Sequence, residues 1–395
     1  MTLWQRLATK AEDRRLWPWS DVLIPWGVTR LLLLFVGWFS GYFVANPKYG
    51  DLASVARGWQ FTPIKLLDMW GRWDSSWYLD IAMNGYSLRG PITTTQSNVA
   101  FFPLYPFSIK TLLLLVPESL RTSEMTLFIG VVLSNVMFLG ALFMLRRLTL
   151  LLVNDRAVAQ RTLWYTMLFP ASFFFASAYT EAAFLLFTIA MFYAALRRTW
   201  WAAGALGALA TLTRPSGISL ILPLAWMYGE AIEWRFRQIR WNSLWLALPL
   251  LAFVGFMASL QPLTGDWIAP LRSQEAWAST LAAPWITIFT PEIGFVPYIT
   301  RIDQILLLAV IFLTGLALIK LPSKALGLYV LLLIAAMLAT GQILDTARYL
   351  STAFPIFITL ALLGKHQTFD RLVLIGSAAT QALLMAAWTR FYWVS

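Results

Sequence analysis

Residues 31–39 read LLLLFVGWF and residues 331–339 read LLLIAAMLA, two runs with no charged side chain and no polar alternation. A membrane β-strand would alternate apolar and polar positions over about ten residues, so continuous runs of this kind specify helices. Working outward, apolar stretches near the roughly 20 residues needed to cross hydrocarbon recur over residues 22–45, 125–146, 160–178, 181–196, 199–213, 216–230, 241–261, 303–319, 324–341, 347–364 and 371–391. The sequence therefore predicts an all-α integral membrane protein with about 11 transmembrane helices. Its 395 residues are 59% hydrophobic and 12% charged, with a mean hydropathy of +0.66, more apolar surface than a soluble core could consume. No hydrophilic block is long enough for a separate soluble catalytic domain. The expectation is a cytoplasmic tail over residues 1–21 and one transmembrane domain over residues 22–391. The opening MTLWQRLATKAEDRRLWPW is basic, but the apolar run that follows is too long for a cleavable signal and reads as an uncleaved first span.

The chain has no cysteine and one histidine, His366, which falls in a basic inside loop. Disulfides, zinc–thiolate sites, thiol nucleophiles and histidine metal clusters are thereby excluded, and no metal site is expected. Chemistry is left to Asp, Glu, Arg, Lys, Tyr and Ser. The net charge of +11 comes from 30 Lys and Arg spread along a membrane chain. Such a spread reports topology and contact with membrane lipids, and no nucleic-acid partner is expected.

Those cations also orient the spans. The run FFPLYPFSIKTLLLLVP, Phe101 to Pro117, is broken by Pro103 and Pro106 and ended by Pro117. Its ten or so uninterrupted residues reach about 15 Å, half the hydrocarbon thickness. If it dips without crossing and the N-terminus is inside, thirteen Lys and Arg fall on inside loops, among them Arg146, Arg147, Arg235, Arg237 and Arg240. A full crossing would put all of these outside, against the positive-inside bias. For residues 199–230 two short spans are preferred over one helix kinked at Pro215, on the same ground. Two long segments, 46–124 and 262–302, then become outer loops, the first carrying interface helices.

Four constellations could carry chemistry. In Arg72-Trp73-Asp74-Ser75-Ser76-Trp77-Tyr78, helical spacing puts Asp74, Trp77, Tyr78 and Ile81 on one face, a carboxylate beside rings on which a sugar could stack. Asp80 points elsewhere and reads as structural. The bland alternative is an interfacial helix with an aromatic belt and an Arg72/Asp74 surface pair. Tyr179-Thr180-Glu181 reads either as part of a site or as an N-cap threonine followed by an acid that offsets the helix dipole. Thr213-Arg214-Pro215 and Asp345-Thr346-Ala347-Arg348-Tyr349 each place an arginine at the outer end of a span. Snorkelling would explain either arginine, yet a cation kept on outer turns that otherwise avoid positive charge suits an anionic ligand, and guanidinium matches phosphate. There is no GxGxxG or Walker loop, so energy for an outer-face reaction would come from an activated lipid.

At these residues the chain resembles a known family. RWDSSWYLDIAMNGY, residues 72–86, followed by AFFPLYP, residues 100–106, is similar to the signature of PIG-V type mannosyltransferases of the GT-C glycosyltransferase superfamily. The resemblance runs on through residues 170–196, 208–224 (ALATLTRPSGISLILPL), 264–278 (TGDWIAPLRSQEAWA) and 348–355 (RYLSTAFP). It implies transfer of a sugar, mannose by family expectation, from a polyprenyl-phosphate carrier to a lipid or glycan acceptor on the outer face, with no cofactor. Asp74 takes the position of the family's catalytic acid and Glu181 that of the second GT-C acid. Arg214 and Arg348 are expected to bind the donor phosphate, with Arg72, Trp73, Trp77, Tyr78 and Tyr179 as sugar or acceptor contacts. Compact loops rich in arginine and tryptophan read as bacterial, which would place the protein in an inner membrane. A transporter or flippase for lipid-linked sugars is the other reading. It should carry ionisable residues near the bilayer midplane, whereas the charges read here collect at outer span ends.

Overall fold

A computed structural model describes residues 19–43, 60–277, 279, 282–289, 297–341, 343 and 345–394. Most of the expected tail, and residues 46–59 and 290–296 of the two expected outer loops, lie outside the described residues. In chain order the helices are α1 (Trp19–Phe43), α2 (Lys65–Asp68), α3 (Ser75–Asn84), α4 (Leu104–Leu113), α5 (Ser123–Val153), α6 (Arg156–Leu168), α7 (Glu181–Leu196), α8 (Trp200–Thr211) and α9 (Ile221–Ala231). There follow α10 (Leu248–Thr264), α11 (Ala269–Arg272), α12 (Pro284–Phe289), α13 (Pro297–Lys320), α14 (Lys324–Leu338), α15 (Thr346–Leu350), α16 (Phe354–Leu363) and α17 (Gln367–Thr389). No strand occurs among the described residues.

Five segments are long and apolar enough to cross a membrane: Trp19–Tyr42, Ser123–Val153, Trp241–Thr264, Arg301–Lys320 and Gln367–Thr389. They carry exposed Leu31, Phe35, Leu251, Val254, Ile305 and Phe312, which in water would be a liability and against lipid are at home. The protein is a multi-pass integral membrane protein. Its centre is α7, buried on nearly every side and packed between α5 and α8. Around this core α1 lies on α17, α6 on α16, and α13 on α14 and α16.

Every stretch read as a span holds helix, but several are shorter or broken, for reasons visible in the chain. The 160–178 stretch is helical only to Leu168; Pro170 cannot continue the ladder, and a 3-10 turn over Ser172–Phe175 replaces it. The basic loop expected after residue 146 is instead helix. α5 runs 31 residues, started by Thr122, whose hydroxyl accepts from the Met125 amide, and ended by Asn154 in the left-handed region (φ 58°). Asp155 caps α6 at once by accepting from the amides of Ala157 and Val158. Residues 199–230 form two short helices rather than one kinked rod. After α8 the chain turns back through a 3-10 segment, Pro215–Leu220, so tightly that a Cβ on Gly217 would lie 2.4 Å from the Thr211 Cα. α4 has ten residues and buries Tyr105, Pro106, Ile109 and Leu113 on one face while Phe107 and Leu112 are exposed.

Candidate active site

The site assembles at the breaks between helices. Met69 to Asp74 link α2 to α3, and Trp73 takes a left-handed backbone (φ 49°), a conformation that a bulky residue keeps only when its surroundings enforce it. Tyr179 does so: its hydroxyl donates to the Arg72 carbonyl (2.9 Å) and accepts from the Asp74 amide (3.1 Å), bracketing Trp73. The Ala178 amide donates to the Trp70 carbonyl and the Trp388 indole to the Met69 carbonyl, which ties the same turn to the core. Burial pushes the Tyr179 phenol well above its ordinary value, so it stays a neutral donor.

Asp74, placed at the N-cap of α3, accepts from Arg348 through Oδ2 at 2.6 Å. Arg348 also pairs through Nη2 with Asp345 at 2.9 Å, and its Nε lies 3.6 Å from Glu181 Oε1. Glu181 in turn accepts from Arg214 Nη1 at 2.9 Å. Thus the first residue of α7, the break before the Pro215–Leu220 turn, the start of α15 and the cap of α3 converge on one buried cluster of three acids and two arginines. The arginines are walled by rings, Arg214 lying 4.4 Å from the Tyr349 centroid and Arg348 5.5 Å from that of Tyr179. Nearby, Asp303 on α13 accepts from the Ala347 amide at 3.2 Å.

The structure thus brings Asp74, Glu181, Arg214, Arg348 and Tyr179 together. Of the other expected contacts, Tyr78 adjoins the cluster beside Tyr179, while Arg72, Trp73 and Trp77 make contacts away from it. Arg72 makes no pair with Asp74; the turn after α2 brings it to Asp68, and both are buried in a 2.8 Å ion pair, with Phe391 under the guanidinium. Trp73 meets Trp393 edge-on at 5.0 Å. Trp77 is buried against Phe101 and Trp277, with Arg89 over its ring. Tyr78 is buried near Phe101, Tyr105 and Tyr179, its hydroxyl 3.4 Å from Thr180 Oγ1. Thr180 holds the N-cap position of α7 without a capping hydrogen bond. Asp80 binds Asn84, Arg89 and Asn98, stitching the loop after α3.

Sequence reading quoted Asp345 without giving it a role and passed over Asp303 and Arg30. Asp345 sits at i−3 from Arg348, a spacing that could have marked it, in a left-handed backbone (φ 68°). Burial, against the pull of Arg348, pushes its carboxyl up to about 6. Asp303 joins from α13 with no sequence signal. Arg30 lies midway along α1, buried over Phe138 at 4.8 Å, its guanidinium nitrogens without a hydrogen-bond partner among the described residues. The described residues contain no group of three Asp, Glu or His placed to hold a metal ion; the acids of the cluster are interleaved with arginines.

Residues 59–239, which contain Asp74, Glu181 and Arg214, match the mannosyltransferase (PIG-V) family. Over that stretch the chain is similar to that family. Over 156 residues, 39% of its length, it is 33% identical to GPI alpha-1,6-mannosyltransferase 2 of Cricetulus griseus and 32% identical to that of Mus musculus. The match covers 30% of each of those relatives. Among solved structures, ArnT from Cupriavidus metallidurans, bound to undecaprenyl phosphate, is similar at a TM-score of 0.52 and 16% identity, over 85% of this chain and 64% of ArnT. The archaeal oligosaccharyltransferase AglB from Archaeoglobus fulgidus, in complex with an inhibitory peptide and a dolichol-phosphate, gives 0.51 at 12% identity over 96% of this chain and 56% of AglB. At such identities the likeness is one of fold.

Proposed function

We propose that this chain transfers mannose from a polyprenyl-phosphate donor to a hydroxyl of a lipid or glycan acceptor at the outer membrane face, with inversion and without a metal. The observation that carries the reading is the Asp74 carboxylate set against Arg348 inside a cluster that also holds Arg214. Of the two acids expected to act, Asp74 is the more accessible, its side chain 16% exposed against 1% for Glu181. As general base, Asp74 takes the proton of the acceptor hydroxyl. The hydroxyl oxygen bonds to the anomeric carbon as the bond from that carbon to the phosphate oxygen breaks, and polyprenyl phosphate leaves with the electron pair. The leaving phosphate gains a negative charge, and two preplaced guanidinium groups stabilise it in an environment where rings exclude water. Glu181, salt-bridged to Arg214 and near Arg348, holds that pair in position.

Support from kinship is of two kinds. The matched relatives are named mannosyltransferases, and the structural neighbours are named as complexes with undecaprenyl phosphate and with dolichol-phosphate. The test is transfer of labelled mannose from polyprenyl-phosphate mannose by the purified chain in detergent, with membrane lipid and glycan extracts as acceptors. A flippase needs two membrane sides and would be silent there. Donor left intact by wild type, with all extracts supplied, would end the proposal.

A further inference from the structure

The seat expected for a donor phosphate is filled by the protein's own carboxylates. Arg348 gives Nη1 to Asp74 and Nη2 to Asp345, so both outward edges of its fork are engaged. A phosphate that binds a guanidinium through two parallel hydrogen bonds needs two adjacent N–H groups. For a phosphate to take the Nη1/Nη2 fork, one carboxylate must therefore yield. Asp74 has the acceptor hydroxyl to serve, which leaves Asp345.

The surroundings of Asp345 make it the weaker holder. Five charged groups face it: Arg348 on its own helix, Arg214 before the Pro215–Leu220 turn, Asp74 at the cap of α3, Glu181 on α7 and Asp303 on α13. Tyr179 lies in the same field as a neutral phenol. Three of the five are acids, so the donor phosphate would enter a site already holding more carboxyl groups than guanidiniums. The second carboxylate oxygen of Asp345, Oδ1, is buried with no hydrogen-bond partner among the described residues, and so is Oδ2 of Asp303. Both are places where a proton would relieve an uncompensated lone pair. Burial already holds the Asp345 carboxyl near 6.

Resting on the donor proposed above, we infer that Asp345 is a positioning residue that stands in for the donor phosphate on Arg348 and yields it by taking up a proton, so that donor binding and protonation are coupled. In the empty site Asp345 keeps the Arg348 fork spread and oriented. When the donor enters, its phosphate takes Nη2, and Asp345, now a neutral acid, remains beside it without repelling it. A phosphodiester stays singly charged between pH 5.5 and 8, so the donor itself contributes no titration in that window.

The test is equilibrium binding of polyprenyl-phosphate mannose to the full-length purified protein in detergent from pH 5.5 to pH 8, for wild type, Asp345→Asn and Arg348→Lys. Coupling predicts that wild type binds roughly tenfold more tightly at pH 5.5 than at pH 7.5, because each pH unit above the titration point withdraws the proton the donor requires. Asp345→Asn, neutral at every pH, should flatten that profile and bind more tightly than wild type at pH 7.5, a gain that loss of a merely structural acid would not give. Wild-type affinity that is level across the range, or an Asp345→Asn protein that binds more weakly than wild type at every pH, overturns the inference; the wild-type profile decides even if the variant does not fold. Donor binding that is level with pH yet weakened by Arg348→Lys removes the inference alone. Absence of donor binding by wild type removes the proposed function with it.

Discussion

Arg348 reaches Asp74 at 2.6 Å across 274 residues of sequence, joining the cap of the first helix after residue 70 to the short helix before α16. In the proposed reaction, the acid that accepts a proton is thereby fixed next to the cation that binds the donor anion. Donor and acceptor chemistry consequently meet at one contact, and changes on either side of it should be separable by kinetics.

Asp74→Asn keeps the shape of the cap and removes the base. Single-turnover transfer at saturating donor should fall by roughly 10² to 10⁴, with donor binding retained. Asp80→Asn, whose carboxylate stitches the loop through Asn84, Arg89 and Asn98, should lose far less. A folded Asp74→Asn protein within a few-fold of wild type would transfer the base role to Glu181, which Glu181→Gln would then reveal.

Replacing Arg348 or Arg214 by alanine should weaken donor use by roughly ten- to a hundred-fold, since a hydrogen bond to a charged group contributes about 1.5–3 kcal/mol. Each alanine also leaves Glu181 with less counter-charge in a buried place, so folding has to be checked by melting in detergent. Lysine should rescue stability better than donor affinity, because it restores the charge without the planar fork. Equal donor affinity in both lysine variants and wild type would reduce the arginines to structural partners.

Arg72→Ala should act on the fold. Its ion pair with Asp68 is buried at both ends, and removing one partner of such a pair costs about 3–5 kcal/mol. The expected outcome is a large loss of thermal stability with Asp68→Ala behaving alike. A stable Arg72→Ala protein with a raised acceptor KM would instead make Arg72 an acceptor contact.

Tyr179→Phe deletes one hydroxyl that satisfies both a carbonyl and an amide on either side of Trp73. About 1–3 kcal/mol of stability should be lost, and turnover should fall because Asp74 is no longer held. Turnover unchanged in this variant would show that the brace does not set the position of Asp74.

The reading of residues 101–117 as a segment that dips without crossing predicts that Thr94 and Ser123, both exposed, lie on one side of the membrane. With no cysteine in the background, Thr94→Cys and Ser123→Cys should both react with an impermeant thiol reagent on intact cells. Labelling of the first alone, with Ser123→Cys reached only after lysis, would mean that the segment crosses.

Much of the helix pattern was legible because apolar runs report burial in lipid or core directly. Where a run failed to be one helix, the cause was local chemistry that hydropathy does not see: Pro170 inside an apolar stretch, or Gly217 letting the chain double back on Thr211. The long helix α5 went the other way, its Arg146 reading as a loop residue though it is buried against Asp21. In the site, Asp74, Glu181, Arg214 and Arg348 stood out as charges in apolar surroundings. Their mutual pairing could not be read, since it is set by how α3, α7 and α15 pack. Asp68 and Asp345 were within reach of helical spacing, at i−4 and i−3 from their arginines. Asp303 was not, because only the approach of α13 to α15 brings it near.

Arg30 has a consequence for how this protein is made. A guanidinium at the centre of a helix that enters the bilayer alone adds about 2.5–3.5 kcal/mol to the free energy of insertion. α1 therefore meets the membrane with a handicap that ends only when the Phe138 ring of α5 comes to lie over the cation. Synthesis delivers that ring more than a hundred residues later. α1 is thus settled only after α5 arrives, and its residence in lipid is secured by a helix that has yet to be translated when α1 emerges.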